Sequence, residues 1–100
     1  MANFIARVEL HSASYADYEN LHLYMQQRGF VRTVRSDDGA TYQLPTGTYA
    51  SASALSSTAA ALQGAVSAAN ETGKTSSVIV VDWNSARWQG LPIVNAARRA

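Results

Sequence analysis

The sequence predicts an α+β fold in which an antiparallel sheet is covered on one face by two helices. Three observations predict it. Residues 4–11 alternate apolar and polar side chains, as a strand with one buried face does. Two segments, 15–28 and 57–72, carry apolar side chains at helical spacing, and the first of them follows a capping serine. The remaining stretches are rich in β-branched and aromatic residues and are separated by Gly, Pro and Asp-Gly turn signals.

The first strand divides its side chains into two rows, because successive residues of a strand point to opposite faces. The core row consists of Phe4, Ala6, Val8 and Leu10. The opposite row consists of Ile5, Arg7, Glu9 and His11. Neighbours within a row lie about 6.5–7 Å apart. The simplest interpretation of the polar row is a solvated face with a surface ion pair, which contributes about 0–1 kcal/mol.

Capping residues define the first helix. Ser14 is a good N-cap, and Asp17, three residues later, forms a version of the capping box. Gly29 is predicted to end the helix as its C′ residue, so the helix covers residues 15–28. Its apolar stripe consists of Tyr18, Leu21 and Met25, with His22 beside it.

Residues 30–35 are predicted as the second strand, and either of its two faces can point inward. In both cases one of its arginines lies near the edge of the core and the other points away. A hairpin turn at 36–39, where Asp-Gly tolerates positive φ, leads to a return strand at 40–44. Pro45 and Gly47 stop this strand, and residues 48–50 are expected to resume it after a bulge.

The second helix, 57–72, is predicted to turn Leu62, Val66 and Ala69 inward. The strand that follows, 77–83, is apolar on both faces, which predicts that both faces are covered. The tail from 85 to 94 is expected to form a short extra strand and a hydrophobic clasp, and 96–100 a frayed end.

The element order is therefore β-α-β-β-α-β, which is the ferredoxin-like plan of one antiparallel sheet with both helices on one face. One domain of this plan accounts for residues 1–100. Right-handed crossovers place the first and third strands in the centre of the sheet. The polar row with Arg7, Glu9 and His11 then lies in the middle of the open face.

Composition narrows the functional classes. The formal net charge is +1, which does not by itself indicate a nucleic-acid binder, but seven of the eight basic residues are Arg, which suits bidentate phosphate contacts. The absence of Cys excludes disulfides and cysteine nucleophiles. We expect no cofactor and no metal site, and we interpret Asp37 and Asp38 as turn formers, although their carboxylates could hold Mg²⁺. Without a signal-peptide pattern or a membrane-length apolar run, the sequence predicts a soluble cytoplasmic protein.

Scattered positions match a known family. They are the first-strand carboxylate Glu9, the helix positions Tyr18, Leu21 and Met25, the Gly29-Phe30 entry to the second strand, Gln43-Leu44 followed by Tyr49-Ala50, and Leu55. In these positions, over about half of the chain, the sequence resembles the GhoS-type proteins, which are RNase antitoxins of type V toxin–antitoxin systems. Those proteins are ferredoxin-like and related in shape to the Cas2 nucleases of CRISPR systems.

The resemblance implies an antitoxin that cleaves the mRNA of a small membrane-damaging toxin in single-stranded regions. Two departures from the family pattern are visible. The first-strand carboxylate is Asp in the family member that can be compared and is Glu9 here. The first-helix arginines of that member would fall near Asn20 and His22.

RNA self-cleavage requires a base for the 2′-OH, an acid for the leaving oxygen and a cation for the phosphorane. Glu9 is the candidate base, and either His11 or His22 is the candidate acid. The candidate cations and RNA-binding residues are Arg7, Arg32 and Arg35. Tyr49 is a candidate for stacking on an unpaired base, a contact worth about 1–3 kcal/mol. The simpler interpretations are a Glu9–Arg7 pair, a packed His22 and a core Tyr49.

We expect a homodimer, because the apolar final strand and the aromatic tail exceed what one thin core can bury. The family resemblance implies single-stranded RNA as the ligand. The alternative function is a non-catalytic ferredoxin-like module that binds RNA or a protein partner, encoded by a phage or mobile element. A third function is a structural homodimer with a small-ligand groove.

Overall fold

The computed structural model describes residues 3–52 and 57–94. In chain order the elements are β1 Phe4–Leu10, α1 Tyr15–Gln27, β2 Phe30–Val31, β3 Thr33–Arg35, β4 Thr41–Gln43, β5 Thr48–Ser51, α2 Thr58–Glu71 and β6 Ser76–Asp82. The predicted frayed end at 96–100, with Arg98 and Arg99, and the family position Leu55 lie outside the described residues.

The main sheet is antiparallel and has the strand order β2-β5-β1-β6. β1 pairs with β5 on one side and over its full length with β6 on the other. This is the strand order of the predicted ferredoxin-like plan, in which the first and third main strands are central. The α+β class is therefore confirmed, and β1 lies in the middle of the sheet.

Both helices cover the same face of the sheet and enclose the larger of two apolar clusters. The side chains of β1 alternate as predicted, with Phe4, Ala6, Val8 and Leu10 buried and Arg7 and Glu9 exposed. The sheet and helices contribute the remaining large core side chains, which are Leu21, Met25, Phe30 and Tyr49. No polar or charged residue of the described chain is fully buried. The helix-covered face is thus an apolar core, and the charged side chains of β1 lie on the opposite face.

The second strand differs from the prediction, because residues 30–35 divide between two sheets. β2 joins the edge of β5, whereas β3 pairs with β4 in a separate two-stranded sheet. The chain bends at Arg32, whose carbonyl accepts a hydrogen bond from the Leu44 amide at 2.7 Å. The bend lets Val34 pack with Leu44 in a second apolar cluster instead of continuing along the main sheet.

The second apolar cluster lies at the Ile5 end of the open face. It is centred on Val34, Leu44 and Ala50 and receives Ile5, Val31, Tyr42, Trp88 and Leu91. The tail reaches it through two backbone hydrogen bonds, from the Gln43 amide to the Pro92 carbonyl at 2.9 Å and from the Val94 amide to the Thr41 carbonyl at 2.8 Å. The predicted extra strand is therefore reduced to an isolated bridge, while the predicted hydrophobic clasp is present.

The first helix begins and ends as its capping residues predict. The Ser14 hydroxyl accepts a hydrogen bond from the Asp17 amide, and the Asp17 carboxylate accepts one from the Ser14 amide. These two bonds complete the capping box. Gly29 has a φ of 87° directly after the Arg28 C-cap. Arg28 also forms an ion pair of 2.8 Å with Glu71, which ties the end of α1 to the end of α2. None of the helices in the described residues is long and apolar enough to cross a membrane.

The inward face of the second helix was predicted wrongly in part. Ala69 is buried as expected, but Leu62 is exposed and the buried stripe consists of Ala61, Ala65, Ala68 and Ala69. Large side chains from the sheet already fill the space beneath α2, so the helix presents its smallest residues and approaches closely. At Gly64 an added Cβ would lie 3.8 Å from the Phe30 ring, which is an ordinary van der Waals distance.

The final strand is covered on one face only by the described chain. Val78 and Val80 pack against the core, whereas Ile79 and Val81 are 61% and 43% exposed on the open face. β6 is also the last strand of the sheet. Within the described residues, therefore, only one of the two apolar faces of this strand is covered.

Two glycine substitutions should have opposite effects on stability. At Gly47, φ is +85° and an added Cβ would lie 2.5 Å from the Val8 carbonyl oxygen, in the backbone of the central strand. We expect Gly47→Ala to lower the free energy of unfolding by about 2 kcal/mol or more. The matched control, Gly64→Ala in the helix, meets only ordinary contacts and should raise it by about 0.5–1 kcal/mol. Urea unfolding measures both, and an unchanged midpoint for Gly47→Ala would contradict the close approach.

Candidate functional site

A shallow groove on the open face combines residues of β1 and β6. It has a volume of about 180 Å³ and is lined by Arg7, Glu9, Ser77 and Ile79, with Val78 at its floor. The strand register produces this arrangement, because Glu9 is paired with Ser77 and Arg7 with Ile79. Side chains that are directly opposite on one face have Cβ atoms about 4.5–5.5 Å apart. The groove therefore presents a carboxylate, a guanidinium and a hydroxyl on two adjacent strands.

His11 directly follows β1, beside this groove, and is held by Thr75 and Ser77. Its amide donates to the Thr75 carbonyl at 2.9 Å. Its Nδ1 lies 3.0 Å from the Thr75 hydroxyl, and its Nε2 lies 3.0 Å from the Ser77 hydroxyl. Both ring nitrogens thus have hydroxyl partners, so the imidazole is fixed in orientation while remaining exposed. Ser77 connects the histidine to the groove that contains Glu9.

The carboxylate of Glu9 is exposed and makes no ion pair or hydrogen bond with the described residues. The expected alternative, a Glu9–Arg7 ion pair, is not formed. Arg7 instead donates from Nη1 to the Thr46 carbonyl at 3.4 Å, a long contact with the loop before β5. Both charged groups therefore face solvent with hydrogen-bonding capacity available for a ligand.

His22, the second candidate acid, lies on the other side of the sheet. It belongs to α1, which packs on the face opposite to Glu9, so the two side chains do not share a site. Its Nδ1 lies 2.7 Å from the Tyr49 hydroxyl, and its Nε2 lies 3.7 Å from a Glu19 carboxylate oxygen. Burial lowers the pKa of His22, and the positive charge of Arg32 lowers it further. The packed-histidine interpretation fits these contacts.

Tyr49 is fully buried, so its ring is not available to stack on a nucleobase. β5 turns it toward the helices, where burial raises the pKa of its hydroxyl. Arg32 is half-buried near the His22–Tyr49 pair, with its Nε buried and unpartnered among the described residues. Arg35 is exposed on the hairpin β3–β4, next to the tail. Of the four predicted RNA-binding residues, the structure brings only Arg7 into the groove.

The sequence did not indicate that the hydroxyls of Thr75 and Ser77 belong to the site. Their sequence signal is weak, since Thr-Ser-Ser after a helix end is an ordinary loop composition. Only the pairing of β1 with a strand more than 60 residues away places them beside His11. The described residues contain no group of three or more His, Asp or Glu side chains that could hold a metal ion.

The part of the sequence that contains this site matches a known protein family. The family, described as Endoribonuclease GhoS, matches residues 1–88. The chain belongs to the GhoS family. The match includes β1, β6 and both helices, and therefore every residue of the groove and His11. No curated protein matches the sequence of this GhoS-family chain. The family description names an endoribonuclease, which is the activity that the open face must be tested for.

The depressed pKa of His22 predicts a pH dependence of stability. Between the folded-state pKa and the ordinary value of 6.5, the unfolded chain binds more protons than the folded chain. The contribution of His22 is thus fully present above pH 6.5 and decreases as the pH falls through the folded-state pKa. His22→Gln should reduce the loss of unfolding free energy between about pH 7.5 and about pH 5.5. An NMR titration that gives His22 a pKa at or above 6.5 would contradict this account.

Proposed function

We propose that this GhoS-family chain is an endoribonuclease antitoxin that cleaves single-stranded toxin mRNA in the cytoplasm, with the open-face groove as its active site. The observation that carries the proposal is the position of three chemically distinct groups on and beside one central strand. A free carboxylate, a guanidinium and an oriented imidazole are the groups that cleavage through the 2′-OH requires.

In the proposed reaction, Glu9 removes the proton of the ribose 2′-OH, and the 2′ oxygen attacks the adjacent phosphorus. Arg7 stabilises the negative charge of the pentacoordinate phosphorane, for which a guanidinium is well shaped. His11, as the imidazolium, donates a proton to the 5′ oxygen as the P–O5′ bond breaks. The products are a 2′,3′-cyclic phosphate and a 5′-hydroxyl, and the proton that Glu9 gained balances the one that His11 lost.

The fixed orientation of His11 supports its role as the acid. In the protonated ring both nitrogens are donors, and the hydroxyl oxygens of Thr75 and Ser77 can accept from both. The ring is thereby held on the residue that directly follows β1, whose amide also donates to the Thr75 carbonyl at 2.9 Å. Because Ser77 also lines the groove, a phosphate oxygen entering the groove can replace the Ser77 hydroxyl as the partner of Nε2.

The shape of the groove favours an unpaired strand. It is shallow and open, so it can accept a flexible sugar–phosphate backbone but offers no cleft for a duplex. In-line attack requires the 2′ oxygen, the phosphorus and the 5′ oxygen to align, which an unpaired nucleotide reaches more readily than one held in an A-form helix. Recognition of single-stranded segments is also the usual way in which proteins read RNA.

The substitution Glu9→Gln tests the active site, because it keeps the side-chain shape and removes the base. We expect it to reduce cleavage of a single-stranded toxin transcript by about 10²-fold or more. The free energy of unfolding should change little, since the carboxylate is exposed and unpaired in the described structure. Gel analysis of 5′-labelled RNA measures the rate of cleavage and shows whether the labelled fragment ends in a cyclic phosphate.

Glu19→Gln is the matched control for this experiment. Glu19 is an exposed carboxylate on α1, on the covered side of the sheet, and its loss should leave cleavage unchanged. Equal cleavage by the parent and Glu9→Gln would exclude Glu9 as the base. A parent protein that binds the RNA but does not cleave it, when purified free of contaminating RNase, would establish the non-catalytic binding module instead.

We also propose that two copies associate through β6. Its outer edge has no strand partner in residues 3–52 and 57–94, and Ile79 and Val81 expose apolar surface beside that edge. Unpaired, apolar strand edges favour pairing with another chain. We expect sedimentation at about 100 μM to show a dimer that Ile79→Lys dissociates. Leu23→Lys, which replaces an exposed leucine of α1, is the matched control and should leave the dimer intact.

A further inference from the structure

A cavity of about 560 Å³ lies between the β3–β4 hairpin and the tail that follows β6. Its size falls in the range of roughly 300–1,000 Å³ that is usual for small-molecule sites in proteins. Its main side chains are Arg35, Asp37 and Tyr42 from the hairpin and Trp83, Arg87 and Trp88 from the tail. None of the candidate catalytic residues lines it, so it is separate from the groove.

The walls of the cavity combine aromatic rings with guanidinium groups. Trp88 and Tyr42 are in ring contact, with centroids 5.5 Å apart and planes tilted by 56°. Both side chains are half-buried, because their inner edges pack on the second apolar cluster. The indole N–H of Trp83 is buried without a hydrogen-bond partner among the described residues. The cavity therefore offers π-faces and cations to a ligand, whereas the Trp83 N–H lies behind its wall.

This combination matches the chemistry of an unpaired nucleotide. Splayed bases of single-stranded RNA stack on aromatic side chains and arginine planes, and their phosphates pair with guanidinium groups. Asp37 adds an acceptor for the amino groups of a base edge. Asp38 also lines the cavity, and its Oδ1 accepts hydrogen bonds from the Ser36 hydroxyl and the Ala40 amide within the hairpin turn.

The position of the cavity relates it to the groove. Trp88 and Tyr42 pack on the same apolar cluster as Ile5, which belongs to the open-face row of β1. Glu9 is four residues further along this strand, about 13 Å at the usual strand rise. A single RNA strand that follows the open face can thus occupy both places at once.

We propose that this cavity is a nucleotide subsite that seats one unpaired base of the RNA on the Ile5 side of the scissile bond, stacked on Trp88, with its phosphate paired to Arg87 and Arg35. The proposal rests on the proposed function, because it assumes that the groove binds RNA. In this arrangement the hairpin and the tail determine which RNA sequence is bound, and the residues on and beside β1 cleave it.

Intrinsic fluorescence tests the subsite directly. The chain has two tryptophans, Trp83 and Trp88, and both line the cavity, so a base that stacks there must change the indole emission of the protein. The probe is a fluorescein-labelled oligoadenylate of about eight nucleotides, added to the Glu9→Gln protein to prevent cleavage. We expect quenching that saturates together with the anisotropy of the label.

Three variants complete the experiment. Trp88→Ala and Arg87→Gln should each weaken oligoadenylate binding about tenfold, as expected for the loss of one stacking or phosphate contact. Arg87 is exposed, so its replacement cannot act by unfolding the chain. The control is Tyr15→Ala, which removes an aromatic ring that is 81% exposed on α1 and should leave the affinity unchanged.

The results separate the subsite from the proposed catalysis. Anisotropy without a fluorescence change, no binding at all, or wild-type affinity in both cavity variants would overturn the subsite. Adenosine monophosphate that binds as tightly as the oligonucleotide would also overturn it, because the cavity would then be a site for free nucleotide. Quenching by the oligonucleotide with a parent protein that does not cleave would support the subsite and refute the proposed function.

Discussion

The structure depends on the pairing of β1 with strands on both sides. Backbone hydrogen bonding to β5 and β6 fixes the pleat of this strand, and the pleat assigns every side chain from Phe4 to Leu10 to one face. A shift of register by one residue would move Glu9 into the helix-covered core and Val8 into solvent, which the burial of the apolar row opposes. The same pairing brings Ser77 opposite Glu9 and holds Thr75 beside His11. The fold and the candidate site are therefore specified by one set of contacts.

The two faces of the sheet separate two kinds of polar group. On the helix-covered face, the His22 ring and the Tyr49 hydroxyl form a hydrogen bond of 2.7 Å. Burial lowers the pKa of His22 and raises the pKa of Tyr49, so it favours the neutral form of both groups. On the open face, Arg7 and Glu9 remain exposed and apart from each other. The second apolar cluster covers the Ile5 end of this face and leaves the His11 end open. A partly buried imidazole bonded to a tyrosine stabilises structure, whereas an exposed imidazole near an unpaired carboxylate can perform proton transfer.

Local sequence rules predicted the features that are determined locally. The Ser14–Asp17 capping box, the Gly29 helix end, the Asp-Gly turn and the alternation of β1 are all present. The errors concern features that depend on distant partners. Residues 30–35 divide between two sheets because Leu44 and Val34 form a second cluster, and Leu62 is exposed because the sheet already fills the space under α2. The alternation of β1 placed His11 in the same row as Glu9, but the sequence left His22 open as an alternative acid, because only the packing of α1 shows that His22 lies on the opposite side of the sheet.

The central claim is that RNA lies on the open face, along β1 and β6. The most direct measurement is a map of backbone amide NMR shifts on addition of a 2′-O-methyl oligoribonucleotide, which binds as RNA does but lacks the attacking hydroxyl. The account predicts that the perturbed amides include those of β1, β6 and the loop at Thr75, with those of α1 and α2 unchanged. Perturbations concentrated on the two helices, around His22 and Glu71, would contradict it.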